Sequence, residues 1–233
     1  MIEAIVPPEA AAIEAFGDPP GPELFPELSP DLFPEEEAQI RDAVDKRRRE
    51  FATVRRCARE ALAQFGVPPV PILSGAKREP LWPAGFVGSM THCDGYRAAV
   101  VARAGELASI GIDAEPHLPL PAGVLKVVAG AGESAMVSEL AERFPEVHWD
   151  RLLFSAKESI YKAWFPLARC WLGFEDAVVG FDPASDVFTA QLSKAGLVRD
   201  GAPLTRLTGR WIVHDGLLAT SVSLRDTSGT PSP

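Results

Sequence analysis

The order of helical and strand patterns constrains this chain most, because a long helix followed by short strands occurs once in each half. In the N-terminal half, a helical pattern begins near Pro34 and ends near Phe65, where Gly and Pro residues follow. Strand patterns come next at 97–103 and 107–115, and the short turn between them predicts a hairpin.

The C-terminal half repeats this order. A clear amphipathic helix is predicted from about Asp150 to Phe165, with Pro166 as its expected end. Shorter helices precede it near 122–128 and 133–143, and strand candidates follow it near 176–181, 187–192, 206–213 and 217–224. The sequence therefore predicts an α+β fold of two similar halves. Their ranges, with the flanking segments, are a Pro-rich, mostly extended or loop segment (1–33), the N-terminal half (34–115), the C-terminal half (116–225) and a disordered tail (226–233).

Charge and cysteine content exclude several functions. The net charge is −9, whereas a nucleic-acid-binding surface is basic, so we expect no nucleic-acid partner. Three cysteines without a CxxC spacing argue against a disulfide framework or a zinc site. The sequence shows neither a signal peptide nor an apolar run of the ~20 residues that a bilayer requires, and we expect a cytoplasmic protein without membrane association.

The strand pattern at 107–115 carries two acids. Asp113 and Glu115 are two residues apart, so they share one face of the strand, about 6–7 Å apart. Carboxylates at this spacing can both reach one hard cation such as Mg²⁺. The motif is short, and on these residues alone a polar solvent face of a half-exposed strand is the preferred interpretation.

The predicted helix 150–165 has two non-polar sides. Leu153, Ala156 and Ile160 form one apolar stripe, while Glu158 and Lys162 lie on the other side. The second side also carries three aromatic residues, which favours the wall of a pocket. An exposed Glu–Lys pair is the alternative interpretation.

Basic residues are concentrated on the predicted helix 34–65. Arg47 and Arg55 lie within about 40° of the apolar Phe51 and so project toward the protein body. A bound phosphate would suit such guanidinium groups, although carboxylate partners would satisfy them too. The segment Ser89–His92, predicted as a loop before the first strand, adds hydroxyl groups and an imidazole that can bind phosphate.

Taken in order, these motifs resemble the Sfp-type 4′-phosphopantetheinyl transferases, and most of all the actinobacterial branch. The resemblance covers about residues 35–225 and is specific through the combination of its motifs. The matching stretches are 46–51 with Arg55 and 57–59, 79–83, 88–92, 111–116, 154–166 and 171–176.

The resemblance implies a monomer with coenzyme A and Mg²⁺ between its halves. It implies transfer of the 4′-phosphopantetheine arm of coenzyme A to a serine of an apo carrier protein, with release of 3′,5′-ADP. The implied metal ligands are Asp113, Glu115, Glu158 and the backbone carbonyl of Ala114. Glu158 is also the implied general base, and Lys162 would stabilise the leaving group, so that Asp113, Glu158 and Lys162 form the catalytic set.

Coenzyme A contacts are implied along the same motifs. They are the 3′-phosphate contacts (Arg47, Arg55), the other phosphate contacts (Thr91, His92), the pyrophosphate contacts (Lys157, Lys162) and the pantetheine contact (Trp171). Ser74 departs from the family pattern, which has a Lys there, and Lys77 and Arg78 are the expected replacement charges. Two other functions fit the same residues. One is a different Mg²⁺-dependent phosphotransferase or hydrolase that acts on a nucleotide, and the other is an inactive coenzyme A-binding or carrier-docking module.

Overall fold

Two antiparallel sheets organise the computed structural model, which describes residues 1–17, 32–194, 196–199 and 201–226. One sheet has three strands in the order β1-β3-β2, and the other has five in the order β4-β10-β9-β6-β5. The helices are α1 (Pro34–Gln39), α2 (Asp45–Ala63), α3 (Leu125–Val128), α4 (Ala131–Arg143) and α5 (Trp149–Ala168). The strands are β1 (Ala11–Phe16), β2 (Phe86–Cys93), β3 (Tyr96–Arg103), β4 (Leu107–Pro116), β5 (Ala177–Asp182), β6 (Val187–Leu192), β7 (Val198–Arg199), β8 (Ala202–Pro203), β9 (Arg206–His214) and β10 (Leu217–Arg225).

Each large sheet is covered by one long helix, which confirms the α+β fold. Helix α2 packs on the three-stranded sheet because Ala58, Ala61 and Leu62 recur on one side of it and are fully buried. Helix α5 packs on β4 and β10 through a wider apolar stripe. The fully buried members of that stripe include Leu152, Leu153, Ala156, Ile160, Ala163 and Trp164.

Helix boundaries differ from the sequence expectations at two places. The single helix expected from Pro34 is two helices, with a break between Gln39 and Asp45. Helix α5 continues past Pro166 to Ala168, although the proline has no N–H to donate within the helix. Arg169, the residue after the helix, adopts a left-handed conformation with φ of 52°.

The hairpin expected between β3 and β4 is wrong. β3 pairs with β1 and β2, whereas β4 pairs with β10 in the other sheet. Strand β4 is buried on both faces because the N-terminal sheet covers one side and α5 covers the other. The boundary expected at 115/116 thus lies at the last residue of β4, a strand of the five-stranded sheet.

The first residues are part of the folded core. A 3₁₀ helix at Ile2–Ile5 and strand β1 lie in the segment that was expected to be mostly extended or loop. Ile2 and Ile5 are buried beside Tyr96 of one sheet and Leu217 of the other. Among the described residues, no helix has both the length and the apolar character needed to cross a bilayer. The expected disordered tail lies almost entirely outside the described residues.

Candidate active site

Strand β4 and helix α5 approach each other unusually closely, and this contact forms the base of the site. Gly111 permits the approach, because a Cβ added there would lie 2.0 Å from the Ser159 carbonyl oxygen and 2.5 Å from the Ala163 nitrogen. Ser109 reinforces the contact by donating from Oγ to the Ala163 carbonyl at 2.7 Å. Side chains on this face of β4 therefore point directly at α5.

Asp113 and Lys162 meet across this contact. Lys162 Nζ donates to Asp113 Oδ1 at 2.8 Å and to the Ile112 carbonyl at 3.0 Å. Thr91 Oγ1, on β2, lies 3.4 Å from the same Asp113 oxygen. Asp113 is 5% exposed, and its second oxygen, Oδ2, has no hydrogen-bond partner among the described residues. A buried carboxylate oxygen left in this way is a ready acceptor for a further cation or donor.

Glu115, the second acid of the pair, has a different partner. Arg151, in the first turns of α5, donates from Nη1 to Glu115 Oε2 at 2.8 Å. Both side chains are largely buried, with exposures of 15% for Arg151 and 19% for Glu115. Each acid of β4 is thus paired with its own cation from α5.

Burial and the nearby charge of Asp113 make Glu115 and Glu158 unusually basic. Burial raises the pKa of Glu158 above its ordinary value, and the nearby charge of Asp113 adds to the effect. Burial and Asp113 likewise raise the pKa of Glu115, although Arg151 opposes the shift. Both carboxyl groups are therefore better proton acceptors than free glutamate, and a bound cation would relieve the repulsion.

The donor set fits a hard divalent cation. Carboxylate oxygens suit Mg²⁺, and Asp113 Oδ2 is a buried oxygen that still lacks a partner. Ala114 contributes backbone: its N–H donates to Thr91 Oγ1 at 3.0 Å, away from β10, so its carbonyl points to the same edge as that of Ile112. Among the residues that the structure describes, however, no three Asp, Glu, His or Cys side chains are already gathered as a metal cluster.

A cleft of about 1140 Å³ opens beside these groups. Glu158 and Lys162 lie on its wall, together with the aromatic side chains of Tyr161 and Phe165. Five cationic side chains also line the cleft, and we call them its basic rim: Arg47, Arg55, Lys77, Arg78 and Arg169. The imidazole of His92 lines the cleft as well. The cleft therefore combines one acidic and apolar wall with a basic rim, which suits a ligand that has several anionic groups and an apolar stretch.

Arg47 and His92 are in direct contact. Arg47 Nη1 lies 2.6 Å from His92 Nε2. Burial and the charge of Arg47 lower the pKa of His92 to about 4, so the ring is neutral at pH 7 and its Nε2 accepts from the guanidinium. Contrary to the sequence expectation, His92 lies on strand β2 and not on a loop.

Arg55, which also lines the cleft, is held in a buried network. Its Nε donates to the Ile72 carbonyl at 2.9 Å and its Nη2 to Ser74 Oγ at 3.0 Å. The guanidinium stacks on Phe51 at 3.1 Å, and Glu36 lies 3.6 Å away. Ser74 thus orients Arg55. Lys77 and Arg78 are exposed on the following turn.

Two expected phosphate contacts do not reach the cleft, and we correct them. Lys157 points toward α4, where its ammonium donates to Glu133 Oε2 at 2.8 Å and to the carbonyls of Val128 and Phe174. It is 3% exposed and is a structural residue in this position. Thr91 is buried, and its hydroxyl links β2 to β4.

Trp171 lies at the margin of the site. It is 65% exposed, and its ring centroid is 5.1 Å from that of Tyr161, which does line the cleft.

Arg151 and Arg169 are two residues near the site that were not expected from the sequence. Arg151 could have been found, because it precedes Glu158 by seven residues and therefore lies on the same side of the helix. Arg169 had no such signal, since it follows the end of the helix.

Comparison with known proteins identifies the class. A model of the 4′-phosphopantetheinyl transferase N-terminal domain matches residues 35–102, and a model of the 4′-phosphopantetheinyl transferase superfamily matches residues 109–202. The chain therefore belongs to the 4′-phosphopantetheinyl transferase superfamily and is an enzyme of that type.

Its relatives include actinobacterial members of the superfamily. The chain is 49% identical over 230 residues to 4′-phosphopantetheinyl transferase Svp of Streptomyces mobaraensis, covering 99% of this chain and 92% of the relative. It is 49% identical over 229 residues to 4′-phosphopantetheinyl transferase PptT of Mycobacterium tuberculosis, covering 96% of each chain. It is 44% identical to 4′-phosphopantetheinyl transferase Npt of Nocardia iowensis, covering 96% of this chain and 99% of the relative.

Proposed function

We propose that the cleft between β4, α5 and the basic rim transfers the 4′-phosphopantetheine arm of coenzyme A to a serine of an apo carrier protein. The contact of Lys162 with Asp113, beside Glu158 on the cleft wall, carries this proposal. Asp113 of the five-stranded sheet thereby lies close to Glu158 and Lys162 of α5, beside a cleft that suits an anionic ligand. Membership of the transferase superfamily supports the same activity.

The reaction requires an attack by the serine hydroxyl on the phosphorus next to the pantetheine. A new serine O–P bond forms, the pyrophosphate P–O bond breaks, and 3′,5′-ADP leaves. Glu158, on the wall of the cleft, accepts the hydroxyl proton. Lys162, held by Asp113 and the Ile112 carbonyl, stabilises the negative charge on the departing phosphate.

Mg²⁺ would be held by the acids at this end of the cleft. Asp113 offers Oδ2, Glu158 offers its carboxylate, and Glu115 offers the oxygen that Arg151 does not engage. The carbonyl of Ala114 is a further oxygen donor on the same edge of β4. When bound, the ion supplies charge neutralisation to the pyrophosphate.

Coenzyme A would lie along the basic rim. Arg47 and His92 sit near the acids, so they suit the phosphates nearest the reacting centre or the 3′-phosphate. Arg55, Lys77 and Arg78 surround the part of the cleft that contains Ser74 and suit the nucleotide end. Tyr161 and Phe165 give the pantetheine arm an apolar wall, and Trp171 would extend that wall outward.

Mass spectrometry of carrier loading tests the proposal. The protein is incubated with Mg²⁺, coenzyme A and an apo carrier protein, and the carrier should gain the mass of phosphopantetheine. A nucleotide hydrolase would consume coenzyme A and leave the carrier unchanged, and an inactive binding module would bind coenzyme A without turnover. Either of these results would refute the proposal. A monomeric state and a cytoplasmic location remain predictions.

A further inference from the structure

Arg151 uses its whole guanidinium group in three directions. Its Nη1 donates to Glu115 Oε2 at 2.8 Å, its Nε to the Leu118 carbonyl at 3.1 Å and its Nη2 to the Pro119 carbonyl at 2.9 Å. A planar guanidinium with three separate acceptors cannot rotate without breaking at least one bond. Its orientation is therefore fixed by the backbone that follows β4.

That backbone is itself attached to the start of α5. His148 donates from its backbone N–H to His117 Nε2 at 3.1 Å, and the Leu120 N–H donates to Asp150 Oδ2 at 2.8 Å. The segment 117–120 and the first turn of the helix thus form one hydrogen-bonded unit. Arg151 joins this unit to Glu115, so the direction of the Glu115 carboxylate is set by a rigid support.

Arg151 also lies in register with the catalytic side of α5. Glu158 and Lys162 follow it by seven and eleven residues, and at 100° per residue all three fall within about 40° on the helix. Lys162 engages Asp113, and Arg151 engages Glu115. The two cations therefore hold the two acids of β4 separately, on either side of Glu158.

We propose that Arg151 is a positioning residue that orients Glu115 toward the divalent-cation site, an inference that rests on the function proposed above. By occupying Oε2, Arg151 presents the other carboxylate oxygen of Glu115 to the ion. Residues that orient a ligand in this way contribute substantially to metal affinity. The positive charge of Arg151 acts in the opposite sense, since it repels a cation. The effect of Arg151 on the orientation of Glu115 and the effect of its charge on cation affinity can therefore be separated by substitution.

Metal titration of two variants separates them. Arg151→Lys keeps the charge but loses the planar fork, whereas Arg151→Met loses both. Mg²⁺ affinity is measured by calorimetry and Mn²⁺ affinity by electron paramagnetic resonance, on the full chain with coenzyme A present. We expect Arg151→Lys to weaken binding of both ions by roughly tenfold. Arg143→Lys, in an exposed pair with Glu139 on α4, is the matched control and should leave affinity unchanged.

The outcomes are distinct. Unchanged metal affinity in Arg151→Lys together with tighter binding in Arg151→Met would show that Arg151 acts only as a charge, and would overturn the proposal. A lower melting temperature with unchanged affinity in both variants would show a purely structural role and would overturn it too. Loading of an apo carrier by the unsubstituted protein is measured in parallel. Failure of that loading refutes the proposed function, whereas a failed metal shift in an active protein refutes only the role of Arg151.

Discussion

The close approach of β4 to α5 at Gly111 makes a sharp prediction about both stability and activity. In Gly111→Ala, the new Cβ would stand 2.0 Å from the Ser159 carbonyl oxygen and 2.5 Å from the Ala163 nitrogen. Both are backbone atoms, which cannot turn aside as a side chain can. Relieving the clash to an ordinary contact distance requires α5 and β4 to separate by about 1 Å or more.

The size of the expected loss in turnover follows from the contacts that this separation would break. Lys162 and Asp113 are joined at 2.8 Å across this same contact, so a 1 Å displacement would disrupt their hydrogen bond. A displacement of this size in catalytic groups costs about a hundredfold in rate. Overpacking of a filled core costs about 1–3 kcal/mol. We therefore expect turnover to fall by about two orders of magnitude while the protein still folds.

Carrier loading by mass spectrometry measures the rate, and urea denaturation followed by tryptophan fluorescence measures the free energy of unfolding. Gly180→Ala is the matched control, because its Cβ would lie 3.9 Å from the nearest atom, Thr189 Oγ1. We expect that control to retain both activity and stability. Gly111→Ala with near-normal turnover would refute the argument that this contact sets the geometry of the site.

Three further predictions concern single side chains. Lys157→Met should lower the free energy of unfolding by about 3 kcal/mol in urea denaturation, because it leaves buried Glu133 without its cation; lost coenzyme A affinity at unchanged stability would contradict this. Arg47→Ala should weaken coenzyme A binding in calorimetry by about tenfold or more, and an effect on the chemical step alone would argue against a phosphate contact. Glu158→Gln should abolish transfer yet raise the urea midpoint at pH 7 without metal. Its raised pKa means that ionisation destabilises the folded state as pH rises, and an unchanged midpoint would contradict that sign.

Local pattern was sufficient for most helices and strands and for part of the site. The side of α5 that bears Glu158 and Lys162 follows from helical periodicity, and the strand patterns at 206–213 and 217–224 match β9 and β10 closely. Asp113 and Glu115 were expected on one strand, and β4 carries both. Each of these depends on neighbours within a few residues, which sequence patterns represent well.

Local patterns do not predict which strands and side chains pair when they are distant along the chain. The turn at Gly105–Glu106 suggested a hairpin, but β4 leaves the first sheet and pairs with β10, about a hundred residues later. Lys157 and Glu158 are adjacent in sequence, yet one pairs with Glu133 and the other lines the cleft. The partners that decide such roles come from distant parts of the chain.

The sequence by itself determined the family, the two long helices and the residue types available for phosphate and metal chemistry. Only the tertiary structure decided which of them share a site, because burial and the close packing at Gly111 select among side chains that look equivalent along the chain. Arg151 illustrates the difference: its helical position is local information, but its bond to Glu115 exists only because β4, the segment after it and α5 pack together.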